Sequence, residues 1–289
     1  MTKYILIFIT ISLVLSSCKE DITASWLKID KIDLITNTTT EGINTSGISD
    51  AWVYMDSQPL GVFELPCEIP ILDEGEHEFV IFAGIKSNGI NSTRIRYPFY
   101  KPSEFTLSLT KGETVSYTPS VTYKSELEFV AREDFEDTGI ILAPRDQYDT
   151  SNIQIISKTN YPDIVQYGNN CGKMTMNSID SIIQVFTDLQ TNIPQGQVFM
   201  ELDYMNSNTF AFGLITTTLT TITTESPFIQ INGQDADDLK WKKIYLDLTD
   251  YLNYLSNPVS FEYYIVGSLD SGNSNAEVYL DNIKIVHYN

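Results

Sequence analysis

Thiols, imidazoles and carboxylates are the groups in this chain that could do chemistry, and their spacing excludes most of it. His77 and His287 are the two histidines, and neither has a Ser or Cys motif nearby that would complete a nucleophile and base. No His-Glu-x-x-His helix, phosphate-cradling glycine loop or CxxC pair occurs. Glycoside hydrolysis needs only two carboxylates, and 38 acidic residues always supply two on paper. A chain divided into two sandwiches nevertheless leaves little room for a deep cleft, so catalysis is not expected. Cys18 differs from the other reactive groups because its surroundings are specific: Lys3, an uncharged apolar run from Tyr4 to Leu15, then Ser16 and Ser17. That run is about 12 residues, short of the roughly 20 that span a bilayer. Residues 1–17 therefore read as a secretory signal peptide to be removed.

Leu15-Ser16-Ser17-Cys18 resembles the lipobox of bacterial lipoproteins. The resemblance implies that Cys18 is acylated, palmitate-like chains included, and becomes the first residue of the mature protein. One acyl chain anchors marginally, whereas two or more hold stably. Lys19-Glu20-Asp21 looks like the Lys and two acids that export lipoproteins to the cell surface in Bacteroidota. The expectation is an outer-membrane lipoprotein, lipid-anchored through a tether at 18–25 and facing the cell exterior.

The formal charge is −20 and both halves are acidic, so there is no basic face to neutralise phosphates and no nucleic-acid partner is expected. The densest basic cluster, Lys240 to Lys243, reads as a solvated strand edge. Cys67 and Cys171 fall in different halves. Export permits a disulfide that would staple the halves together, but free buried thiols are the commoner outcome for such a pair.

The elements that must position these groups read as strands throughout. Trp26 to Ile35 alternates as a half-buried strand, and Asn37 to Ser49 is a polar loop. Trp52-Val53-Tyr54-Met55-Asp56, the return Pro59 to Phe63, Leu65 to Leu72 and the "Gly-Glu-His" turn at Gly75 to His77 follow in order. This succession resembles the small Ig-like sandwiches of the PEGA and carboxypeptidase-regulatory kind, which hold or space other domains. Arg94, Arg96, Tyr97, Phe99 and Tyr100 read as core plus solvated edge, with a binding patch as the alternative.

From Leu127 onward, runs of five to eight β-branched and aromatic residues separated by Gly, Asn and Pro indicate an antiparallel sandwich. Phe135-Glu136, Gly168, Gly172-Lys173, Trp241 and Tyr279 to Ile283 together resemble the phrase order of jelly-roll, galactose-binding-like carbohydrate-binding modules. The fold expected is thus all-β: an Ig-like/PEGA-like β-sandwich at 26–124 and a jelly-roll β-sandwich at 127–289. The resemblance implies a polysaccharide partner and a structural calcium held by Glu136 and Asp281, with Asp134 beside them, since calcium takes hard oxygen donors. The alternative is that both carboxylates cap strand ends. Ring-stacking candidates are Tyr148, Tyr161, Tyr167, Tyr204, Phe210 and Tyr254, whereas Trp241 reads as core. Three functions stand in order: a non-catalytic glycan-binding surface lipoprotein, a structural accessory subunit beside an outer-membrane barrel protein, and a sandwich hydrolase.

Overall fold

The computed structural model describes residues 23–145, 151–224, 228–253 and 258–289. Cys18, Lys19, Glu20, Asp21, Tyr148 and Tyr254 lie outside the described residues. The chain is all-β. Eleven strands come first: β1 (Ser25–Ile29), β2 (Asp33–Ile35), β3 (Asp50–Met55), β4 (Gln58–Glu64), β5 (Cys67–Ile71), β6 (Gly75–Lys86), β7 (Arg94–Arg96), β8 (Tyr100–Lys101), β9 (Ser103–Leu109), β10 (Thr114–Ser116) and β11 (Ser120–Tyr123). They form a five-stranded sheet, β4-β3-β6-β7 with β9 also on β6, and two three-stranded sheets, β10-β1-β5 and β2-β11-β8. The alternating run from Trp26 is not one strand: its two halves, β1 and β2, join different small sheets.

Twelve strands follow: β12 (Leu127–Glu133), β13 (Leu142–Ala143), β14 (Gln154–Ser157), β15 (Asn170–Asn177), β16 (Ile182–Thr187), β17 (Val198–Asn206), β18 (Phe210–Thr218), β19 (Ile222–Thr224), β20 (Ile229–Ile231), β21 (Lys242–Asp247), β22 (Pro258–Ser268) and β23 (Asn275–Tyr288). A short helix, α1 (Thr249–Asn253), follows β21. Two six-stranded sheets pack as a jelly-roll sandwich: β14-β15-β23-β17-β21 with β12 on β23, and β13-β16-β22-β18-β19 with β20 on β18. The period-two pattern explains the packing, because Met174, Met176, Met200, Leu202, Phe210, Phe212, Tyr263, Ile265, Val278 and Leu280 all enter one buried cluster. Each such side chain contributes roughly 1.5–3 kcal/mol on burial.

β23 is the spine of the first of these sheets, with β17 along one side and β15 then β12 along the other. Its alternation breaks once. Ala276, Val278 and Leu280 face the core, and so do Ile283 and Ile285, which requires one extra residue between the two sets. That residue is accommodated at Asn282, whose φ is 50°, and the pairing with β17 shifts register at the same place. A bulge of this kind places two consecutive side chains on one face. Here they are Asp281 and Asn282, both turned away from the core beside Asp203.

The two sandwiches share an apolar cluster. Phe199, Tyr245 and Val286, from the outer face of the β17/β21/β23 sheet, pack with Tyr97, Phe99, Tyr100 and Tyr123 of the first sandwich. Tyr97 meets the Phe199 ring edge-on at 5.4 Å and the Tyr245 ring at 4.8 Å. The aromatic group around Tyr97 is therefore core, and its burial is completed by the second sandwich. Backbone contacts reinforce the join, with Asn88 N donating to Tyr245 O at 2.8 Å. Cys67 and Cys171 are both free thiols.

Candidate functional site

The outer face of the β17/β21/β23 sheet carries two polar rows set by strand register. Lys243 and Asp281 flank Asp203, and Tyr245 and Lys284 flank Glu201. Directly opposed residues have Cβ atoms about 4.5–5.5 Å apart, so these rows must interact. Glu201 is wholly buried, with Lys243 Nζ at 3.6 Å and Lys284 Nζ at 3.7 Å. The first sandwich closes over it, Tyr97 and Tyr123 donating their hydroxyls to Glu201 at 2.7 Å and 2.8 Å. Asp203 accepts from Thr45 Oγ1 at 2.6 Å and from Asn282 Nδ2 at 2.9 Å. Lys284 reaches back to Glu41 O. Burial opposes the Glu201 charge, but the ammonium groups of Lys284 and Lys243 and the two hydroxyls outweigh it and hold this carboxyl below its usual range. Burial pushes Lys284 down to about 8. The Lys243 side chain is 2% exposed, so the reading of Lys240 to Lys243 as a solvated edge fails at this residue. Sequence spacing could not show that a second sandwich covers this strand.

The expected calcium ligands lie beside this cluster. Asp281 is buried and accepts one hydrogen bond, from Asn282 N at 2.8 Å. Burial, then the neighbouring charges of Asp203, Glu136 and Asp134, push its carboxyl up to about 9. Glu136 clamps a loop instead, accepting from Asn169 N at 2.7 Å, Asn169 Nδ2 at 3.0 Å and Asn170 N at 3.0 Å. Burial opposes its ionisation, yet these three donors outweigh it and hold the carboxyl below its usual range. Among the described residues no three His, Cys, Asp or Glu side chains gather in a way that would hold a metal ion. The side chains as arranged do not fit a calcium site.

The aromatic candidates separate by burial. Phe210 is core and Tyr204 packs on it at 5.8 Å, so neither ring is offered to a ligand. Tyr167 meets Trp241 edge-on at 5.8 Å, and Trp241 donates to Ile164 O at 2.7 Å, fastening a loop over Cys171 and Met205. Tyr161 is 38% exposed beside Lys173. Of the histidines, His77 is occupied on both ring nitrogens by Asp56 at 2.7 Å and Glu74 O at 3.3 Å.

Among the described residues, the two sheets of the second sandwich differ in what covers their outer faces. The outer face of the β17/β23 sheet is covered by the first sandwich and by the Trp241-fastened loop. On the opposite sheet, a row crosses four strands: Gln184, Val266, Ala211 and Gln230 are successive register partners. Four strands at about 4.8 Å spacing make a row roughly 14 Å long. Its centre is small and apolar and its ends are primary amides. Neither amide side chain bonds within the chain among the described residues. A cleft of about 370 Å³ opens over the Ala211, Gln230 and Val266 part of the row, and Thr209, Ser268 and Asp270 help to line it. The neighbouring row, Phe186, Tyr264 and Gly213, closes one side. Tyr264 lies across Gly213, where a Cβ would sit 2.1 Å from the ring, so only glycine admits the tyrosine there. Arg145 stacks 4.1 Å from the Phe186 centroid and pairs with Glu262 at 3.4 Å. Sequence reasoning missed this site because it rests on cross-strand register, which the order of residues along the chain does not display.

No protein-family model matches the chain, and no curated protein matches it. Among solved structures, it is similar to a carbohydrate-binding module of the β-sandwich superfamily, described for promiscuous specificity, at 14% identity and a TM-score of 0.37, covering 84% of this chain and 87% of that one. It is similar as well to the N-terminal CBM22 tandem domain of Paenibacillus barcinonensis Xyn10C, at 12% identity and a TM-score of 0.39, covering 83% and 73%. The K2 cleaved adhesin domain of Lys-gingipain matches at 12% identity and a TM-score of 0.36, covering 53% of this chain and 96% of that domain. At such scores the likenesses are distant and say nothing of what this chain binds.

Proposed function

We propose that this protein is a non-catalytic, membrane-tethered binder of a polysaccharide, taken up along the row Gln184, Val266, Ala211 and Gln230. The observation that carries this reading is the composition of that row: an apolar, small-residue floor suits the C–H face of a pyranose, and free amides at both ends suit its hydroxyls. A row of roughly 14 Å accommodates a few linked sugar units, not a single small molecule. The test is a glycan array on the full chain, alongside the double variant Gln184→Ala/Gln230→Ala. The parent should bind at least one plant, host or microbial polysaccharide, and the variant should lose about tenfold in affinity, as two hydrogen bonds of roughly 0.5–1.5 kcal/mol each imply. Binding by neither protein, or equal binding by both, removes the reading.

The tether is part of the same proposal. The segment after Cys18 is short, reaching at most about 3.5 Å per residue before β1 begins at Ser25, so an acylated Cys18 would hold the first sandwich close to the outer membrane. Lys19, Glu20 and Asp21 would direct the protein to the outer surface. Mass spectrometry of the amino-terminal peptide should find acyl chains on Cys18, and proteinase added to intact cells should degrade the protein. An unmodified thiol, or full protection until the envelope is opened, counts against it.

A further inference from the structure

The first sandwich carries a second site. The outer face of its five-stranded sheet presents Trp52 and Tyr54 from β3, Phe82 from β6, Val62 from β4 and Arg96 from β7. Trp52 is the register partner of both Val62 and Phe82, so three apolar groups stand in one row. Gly84 makes room for the indole: a Cβ there would sit 2.8 Å from Trp52 Nε1. Arg96 is paired with Gly84 in register, and its guanidinium lies over the Phe82 ring at 4.8 Å and the Trp52 ring at 5.7 Å.

Two donor groups at this spot lack acceptors. Trp52 Nε1 is buried with no hydrogen-bond partner. Arg96 is exposed and makes no ion pair or hydrogen bond among the described residues, although its near neighbour Arg94 bonds Asp50, Glu64 at 2.9 Å and Asn91. Arg94 engages Asp50 and Glu64, which leaves the planar fork of Arg96 for something else. A guanidinium backed by aromatic rings binds a carboxylate bidentately. The half-buried rings and Val62, 46% exposed, offer an apolar shelf beside it. Acidic side chains stand on the same face at Glu78 and Glu104, so a densely charged polyanion is repelled while a single carboxylate on an otherwise neutral chain is not.

We propose that Arg96 and Trp52 form a binding site for a uronic-acid unit of a glycan, the carboxylate taken by the Arg96 fork and the sugar ring laid on the Trp52, Tyr54 and Val62 shelf. The site lies on the other sandwich from the Gln184 to Gln230 row and stands independently of it. The experiment is affinity electrophoresis of the full chain in gels containing glucuronoxylan, whose uronates are isolated branches, or the same polymer with its carboxyl groups reduced to alcohols. The parent should be retarded at least tenfold more strongly by the acidic polymer. Arg96→Met should abolish that difference with an unchanged melting temperature, and Trp52→Phe, which shortens the aromatic shelf, should weaken retardation severalfold. Gln184→Ala/Gln230→Ala should keep the preference, which separates this site from the other. Equal retardation by the two polymers, parent-like behaviour of Arg96→Met, or occupation of this face by a second copy or another protein overturns the proposal.

Discussion

Replacing Glu201 with glutamine will destabilise both sandwiches together, by about 3–5 kcal/mol, because it removes one partner of a buried ion cluster and leaves two ammonium groups without their shared anion. Lys243 and Lys284 both lie within 4 Å of this carboxylate and are almost fully buried. Asp203 does not replace it, because it pairs with Lys243 alone, at 3.8 Å, and leaves Lys284 without an anion within 4 Å. Urea unfolding followed by tyrosine and tryptophan fluorescence and by circular dichroism should show one transition in parent and variant, since Phe199, Tyr245 and Val286 belong to the core of the first sandwich as well. A triple replacement, Glu201→Met/Lys243→Met/Lys284→Met, should recover much of the loss, because removing all the charges leaves none unpaired. The pH dependence follows from the direction of the shift. A carboxyl held below its ordinary value contributes stability that is fully present above about pH 4.5 and disappears as pH falls through the folded value, so the gap between parent and Glu201→Gln should close in acid. A variant that melts within a degree of the parent at pH 7 contradicts a desolvated Glu201.

Much of the fold was legible because alternation is a local signal. Phe210, Phe212 and Leu214, or Val198, Met200 and Leu202, announce a strand and its buried face without any knowledge of the partner. What alternation cannot report is which sheet covers the other face. In the sequence Glu201, Asp203, Lys243 and Lys284 fall on the polar side of their strands, and in the structure all four side chains are buried. The clue present in the sequence was the phase break at Asp281-Asn282, where the apolar positions pass from Val278 and Leu280 to Ile283 and Ile285. An even-to-odd shift inside one long strand requires a bulge, and bulges re-aim side chains at functional or packed positions. The two proposed ligand sites were illegible for a related reason. Gln184, Val266, Ala211 and Gln230 come from four strands, and Trp52, Gly84 and Arg96 from three, so only register brings each set together.

Asp281 offers the opposite result to Glu201: Asp281→Asn should stabilise the protein. With Asp281 protonated, the cluster holds two carboxylates, Glu201 and Asp203, against two ammonium groups, Lys243 and Lys284, and the buried charges balance. Ionising Asp281 places a charge in a buried position and sets it beside Asp203, and burial first, then that neighbour, pushes its carboxyl up to about 9. An acid with a raised folded value binds its proton more tightly in the native state, so its effect on stability is most favourable below the ordinary carboxyl range and worsens as pH climbs toward 9. Asparagine is neutral at every pH and close in shape. The gain over the parent should be near zero at pH 4 and reach roughly 3–5 kcal/mol at pH 7, at about 1.4 kcal/mol per unit. It should grow further to pH 9. Thermal melts of parent and variant across that range measure it, and repeating them with calcium and with chelator decides the metal question at the same residue. If calcium is held by Glu136 and Asp281, the asparagine variant melts lower than the parent and chelator lowers the parent to match. A gain that rises with pH and ignores both additions identifies Asp281 as a neutral buried acid that leaves the charges of Glu201, Asp203, Lys243 and Lys284 in balance.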